Sequence, residues 1–243
     1  MSKLADRELP NYTRGEEIFN MVSHITGGAL GVAALVLCVI KAAISGNAWA
    51  IVSSSIYGFT MVVLYCLSSV YHGLRPSLGK KVLQVLDHCS IYFMIAGTYT
   101  PIVLVAMRPL YPFLAWIIFA FEWGITAIAV TLTAIDLKEY RAFSMLCYIV
   151  MGWGIVLATP YATEALTQTG FTLLLAGGFA YTLGAVLYGI GANKRWFHCI
   201  FHIFVLIGSA LQLFAIYLFA LCIRERSSFL KKRSKRRRNT FLF

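Results

Sequence analysis

Seven runs of roughly twenty mostly apolar residues, joined by short polar loops, decide what this chain can fold into. A helix rising about 1.5 Å per residue needs about 20 residues to cross roughly 30 Å of hydrocarbon, and its backbone polar groups must be satisfied within the segment. The runs fall at about Val22–Ile44, Ala48–Val70, Val85–Met107, Tyr111–Ala134, Phe143–Tyr161, Phe171–Ile190 and Trp196–Ile223. A single soluble domain has no means of burying so much apolar surface, since 59 % of the 243 residues are hydrophobic and only 13 % are charged. The expectation is an all-α integral membrane protein, a bundle of seven transmembrane helices. The first twenty residues are polar and of mixed charge, and no small-residue cleavage site follows a brief apolar core, so the first span is expected to remain in place. Residues 1–20 then form a polar amino-terminal segment, 21–223 one helical membrane domain, and 224–243 a basic tail.

Orientation follows from lysine and arginine in the short loops. Lys3, Arg7, Arg14, Arg75, Lys80, Lys81, Lys138, Arg141, Lys194 and Arg195 fall on the amino-terminal side, against Lys41 and Arg108 opposite. That bias predicts a cytoplasmic amino terminus and, with seven crossings, an external carboxyl terminus. The tail "RERSSFLKKRSKRRRNTFLF" opposes this, because its nine basic residues favour the cytoplasmic face. It reads as a solvated extension attracting anionic lipid head groups at about 1 kcal/mol per charge. No folded module orients it, so no specific nucleic-acid partner is expected. The six cysteines lie in or beside the spans without a C-x-x-C spacing and read as small buried hydrophobes.

Polar residues inside the spans are concentrated at one end. His24, His72, His88, His198 and His202 all map to the amino-terminal leaflet when the chain is traced up and down, which is the pattern of a site. His198 and His202, four apart, share a helix face, as do Ser68 and His72 in "SSVYH". Asp87 opens the third span at the same depth, and Glu16, Glu17 and Asn20 precede His24 there. Three imidazoles with one open position are the donor set of a catalytic zinc ion, so His72, His198 and His202 are the candidate ligands. Asp87 is placed beside them as the carboxylate that accepts a proton from water, with Ser68 adding a hydrogen bond.

Plainer readings stand beside these. An isolated H-x-x-x-H is as readily a pair of packing residues at a helix end. Of the accessory candidates Glu17, Asn20, His24 and His88, the two histidines read as structural, hydrogen-bonding between helices. Either Glu16 or Glu17 reads as neutralising the first helix's amino end. Glu122, in the middle of the fourth span with no basic residue at its depth, reads as a neutral, hydrogen-bonded acid. Gly27 and Gly31 read as allowing close helix approach, and Trp49, Tyr111, Trp196 and Tyr217 as interfacial anchors or core.

The ordered set "EEIFNMVSHITGG", "SSVYH", "LDHCSIYFMIAGTYTP" and "HCIFH" resembles the hemolysin III family over residues 14–223. That family is the bacterial branch of the progestin and adipoQ receptor group, itself similar to alkaline ceramidases. The resemblance implies an adiponectin-receptor-like barrel in a bacterial inner membrane, with zinc near the cytoplasmic leaflet on His72, His198 and His202 and Asp87 nearby. Glu122 and the basic tail lie outside the pattern. Three functions stay open: zinc-dependent hydrolysis of a lipid amide or ester, membrane sensing or signalling in lipid or energy homeostasis with structural zinc, and a lytic pore. The last lacks a long polar-faced amphipathic segment and a secretion signal.

Overall fold

The computed structural model describes residues 4, 7–191 and 194–222. The basic tail 224–243 and Ile223 lie outside these residues. Among the described residues the regular structure is entirely helical: α1 (Arg14–Ile44), α2 (Ala48–Gly73), α3 (Leu78–Pro101), α4 (Pro112–Ile135), α5 (Arg141–Trp153), α6 (Thr159–Ile190) and α7 (Phe197–Ala215).

Each helix packs on the next in chain order, and α7 returns to pack on α1, closing a ring. The third segment, continued from Pro101 through a π-helical turn over Ile102–Met107, is the most enclosed. Buried residues make up 83 % of its apolar window, against 22 to 50 % in the others. Large apolar side chains face outward elsewhere, including Leu157 at 92 % and Phe113 at 80 % exposure. Water does not tolerate such a surface, whereas hydrocarbon does.

Six helical segments among the described residues are long and apolar enough to cross a membrane. One of them, Arg141–Ile190, contains 50 residues and takes in two of the seven runs seen in the sequence. It is not one straight rod. A 3-10 turn occupies Gly154–Ala158, and Thr167 breaks the helix with φ 68° and ψ 164°. The Thr167 hydroxyl accepts from the Gly170 N–H at 3.4 Å, as a residue starting a new helix does.

The first helix starts earlier than the apolar run suggested. Thr13 and Glu16 form a reciprocal capping box, with Thr13 N–H donating to Glu16 Oε2 at 2.8 Å and Glu16 N–H to Thr13 Oγ1 at 3.3 Å. Residues 14–20, expected in the polar segment, are therefore helical. One buried stripe results: Glu16, Asn20, His24, Gly27, Gly31, Ala34, Cys38 and Ala42. Its amino-terminal end is polar and the rest is small.

The small residues let α1 and α2 approach closely, as expected of Gly27 and Gly31. A Cβ on Gly27 would lie 2.3 Å from the Tyr65 ring, one on Gly31 3.1 Å from Val62 N, and one on Gly58 2.4 Å from Leu35 Cα. Because the last obstacle is backbone, Gly58→Ala cannot be absorbed by a rotamer change. A loss of about 3 kcal/mol or more is expected, read as a lower melting temperature in detergent than Gly28→Ala, whose Cβ meets only Tyr65 Cβ at 3.9 Å.

Glu122 corrects the sequence reading. It is 1 % exposed, and neither carboxyl oxygen has a hydrogen-bond partner among the described residues. No cysteine is in a disulfide, and Cys66 is exposed on the outer face rather than buried.

Candidate metal centre

Two helix ends build the cluster. His72 lies in the last turn of α2, and His198 and His202 occupy the first turns of α7. Trp196, left-handed at φ 68°, turns the chain into α7, and its N–H donates to Glu16 Oε1 at 2.6 Å. The capping acid of α1 thereby anchors the start of α7. The three imidazoles meet edge to edge, with His198 Nε2 3.3 Å from His72 Nε2 and 3.0 Å from His202 Nε2.

That spacing fits a tetrahedral ion. Zinc–nitrogen bonds of about 2.0–2.1 Å at tetrahedral angles place neighbouring nitrogens about 3.3 Å apart. His72, His198 and His202 are the one such group of histidine, cysteine or acid among the described residues, with ligand atoms all within 4.8 Å of one another. Neutral imidazoles can share a proton pairwise, but three converging Nε2 atoms leave lone pairs opposed, which a cation resolves. Buried polar atoms without partners among the described residues surround the cluster: both nitrogens of His24, Nδ1 of His198, and the side-chain oxygen and nitrogen of Asn20.

Glu17 fixes His72. Its Oε2 accepts from His72 Nδ1 at 2.6 Å, while Oε1 accepts from Lys80 Nζ at 2.5 Å. A proton held on Nδ1 leaves Nε2 free as a donor to metal, and the carboxylate raises its basicity. Lys80 is 3 % exposed; it also donates to the Leu74 carbonyl at 2.9 Å and lies over the Tyr71 ring. The two neighbouring acids thus divide the roles that sequence left undivided. Glu16 caps α1, and Glu17, about 100° round the helix, points inward to the histidine.

His24 stacks on His202 with ring centroids 3.7 Å apart and stands edge-on to Tyr65, without the interhelical hydrogen bond expected of it. Ser23 Oγ lies 3.4 Å from His202 Nδ1. His88 stays out of the cluster: its Nδ1 bonds the Gln84 carbonyl of its own helix at 2.7 Å, and its backbone carbonyl accepts from the Tyr148 hydroxyl at 2.9 Å. Asp87 is not among the three converging ligands; the Ser68 hydroxyl hydrogen-bonds its carboxylate. Ser68 stands one helical turn before His72 on α2, which brings Asp87 near the cluster.

Tyr12 closes the chamber on the amino-terminal side. Its ring stacks on His198 at 4.9 Å and 16°, and burial pushes its phenol well above the ordinary range, so it is neutral. Sequence reasoning missed Tyr12, Lys80 and Tyr71. Lys80 counted there only as a charge favouring the cytoplasmic side, and nothing local marks a tyrosine before a helix as a lid.

The family described as haemolysin-III related matches residues 12–213, a stretch that holds every residue of this centre. The chain is 37 % identical to Hemolysin-3 of Bacillus cereus over 207 residues, which is 85 % of this chain and 92 % of that protein. It is 35 % identical to a Hemolysin-3 homolog of Bacillus subtilis over 213 residues, 88 % of this chain and 97 % of that protein. Human monocyte to macrophage differentiation factor is similar at 28 % over 182 residues, 72 % of this chain and 73 % of that protein.

Proposed function

This chain belongs to the haemolysin-III related family of multi-pass membrane proteins, and on that premise we propose that it is a zinc-dependent hydrolase acting on a lipid amide or ester. The convergence of His72, His198 and His202 at nitrogen separations of 3.0 and 3.3 Å carries the reading. Zinc held by His72, His198 and His202 would supply Lewis acidity and lower the pKa of water toward about 7. The chain's own groups do the rest. Asp87, held by Ser68, takes the proton as water adds to the lipid carbonyl carbon. It returns that proton to the departing amine or alcohol as the carbon–nitrogen or carbon–oxygen bond breaks. Glu17 and Lys80 hold His72 in place, and Tyr12 keeps bulk water from the chamber.

The same reading gives seven crossings. The 50-residue segment Arg141–Ile190 would be about 75 Å long as a single helix, more than twice the hydrocarbon thickness, and Thr167 supplies the place to reverse. With basic loop residues gathered at the end where α1 begins, that end lies in the cytoplasm of a bacterial inner membrane. The substrate is a membrane lipid entering from the bilayer.

The test is incubation of purified protein with a membrane-lipid library, read by mass spectrometry. Release of a fatty acid from one lipid class, abolished by a zinc chelator and restored by zinc, is expected. An unchanged library at full zinc occupancy favours the second reading, a sensing or signalling protein with structural zinc. Tyr12 stacked over His198 is the observation on that side, because it blocks the direct aqueous route to the centre. Leakage of vesicles containing purified protein tests the pore reading, which the name of the Bacillus relatives attaches to those proteins.

Glu17→Gln tests the positioning role. Loss of the carboxylate from His72 Nδ1 is expected to weaken zinc binding about 10- to 100-fold in chelator competition. Unchanged affinity would remove Glu17 from the centre.

A further inference from the structure

A second cleft lies at the membrane edge between α3 and α4, with Leu4 and Arg7 beside it. Its volume is about 220 Å³, and its walls include Arg7, Val82, Val85, Leu86, Ala134 and Ile135. It shares no residue with the metal centre. Among the described residues Arg7 is the one charged member of its lining, and the guanidinium Nε and Nη1 are buried with no hydrogen-bond partner among them. Two donors of a permanently charged group shut off from water without a partner among the described residues are costly, and an anion would satisfy them. The neighbouring charges agree. Arg141 and Arg7 both lie close enough to act on His88, so basic charge gathers at this end of α3.

The walls say what carries the anion. Val82, Leu86 and Ile135 are 40, 44 and 45 % exposed and belong to membrane-length helices, so the cleft opens sideways onto lipid. Arg7 sits at the end of the bundle where the basic loop residues gather, at the depth of the head groups. An inorganic anion would meet the guanidinium and leave the apolar walls unfilled.

We propose that this cleft is a binding site for an anionic phospholipid, its phosphate at the Arg7 guanidinium and an acyl chain along Val82, Leu86 and Ile135. The site is independent of zinc and distinct from any attraction of the basic tail to the membrane. Arginine suits it because its charge survives desolvation and its donors are fixed in a plane.

The test uses the full-length protein in phosphatidylcholine vesicles with a trace of photoreactive phosphatidylglycerol, and maps the cross-links by peptide mass spectrometry. Label is expected on peptides containing residues 82–86 and 134–135, separately from any label on the tail. Arg7→Gln is expected to lower that label about tenfold, the effect of losing one charge-assisted contact, while tail label stays unchanged. Arg7→Lys, which keeps the charge, is expected to retain most of it. Val85→Trp, which fills the cleft, is expected to remove it with Arg7 intact. Equal labelling by photoreactive phosphatidylcholine, or label unchanged in Arg7→Gln, would overturn the proposal. So would protection by free inorganic phosphate at the lipid's concentration, which would mark an ion site rather than a lipid site.

Discussion

Purified His202→Ala protein is expected to contain almost no zinc, and the parent about one ion per chain. Zinc sites with four protein ligands bind with roughly 10–16 kcal/mol, so one ligand accounts for about 3–4 kcal/mol, or about 100- to 1,000-fold in affinity. His202 is the ligand whose loss should be felt most. It is 1 % exposed, its Nε2 lies 3.0 Å from that of His198, and its ring is the surface on which His24 stacks at 3.7 Å. Removing it leaves two imidazoles on two different helices and a cavity beside a third. The measurement is elemental analysis after detergent purification, with circular dichroism to confirm that the helices survive. His72→Gln is the companion variant, since it fills the same volume without a metal-binding nitrogen. Parental zinc content in both variants would end the metal assignment, and hydrolysis with it.

Asp87→Asn is expected to lower lipid turnover by about 10²- to 10⁴-fold, the range for loss of a general base, while zinc content stays at one per chain. The substitution is nearly isosteric and keeps an acceptor for the Ser68 hydroxyl, so the packing of α2 against α3 should hold. Asp87 is not one of the three converging ligands, which is why metal and activity should separate in this variant. A fall in activity accompanied by loss of zinc would make Asp87 a support of the metal instead. Unaltered turnover would remove it from the chemistry altogether.

Much of this molecule is legible in its sequence because a bilayer imposes a local rule. Apolar length reports each crossing, and the small residues Gly27, Gly31 and Gly58 report where two backbones touch. The i, i+4 spacing of His198 and His202 puts both on one face whatever their surroundings. The 13-residue α5 and the helix break at Thr167 were less legible. A threonine with positive φ has no composition signal, and hydropathy shows two apolar runs without showing how they join.

Sequence by itself determined the solvent, the helical class and the collection of histidines at one end of the bundle, because hydropathy and helical periodicity act over a few residues and need no partner. Only the tertiary structure decided which polar residue answers which. Glu16 and Glu17 are adjacent and chemically alike, yet one closes a cap with Thr13 and the other joins Lys80 to His72 across α1, α2 and α3. Arg7 came to place two guanidinium nitrogens, without partners among the described residues, beside an apolar cleft, and Tyr12 became a lid on His198, by the same kind of long-range meeting. Those pairings depend on where closed-ring packing brings distant segments, and a hydrogen bond or an ion's coordination is fixed by a few tenths of an ångström that no local pattern specifies.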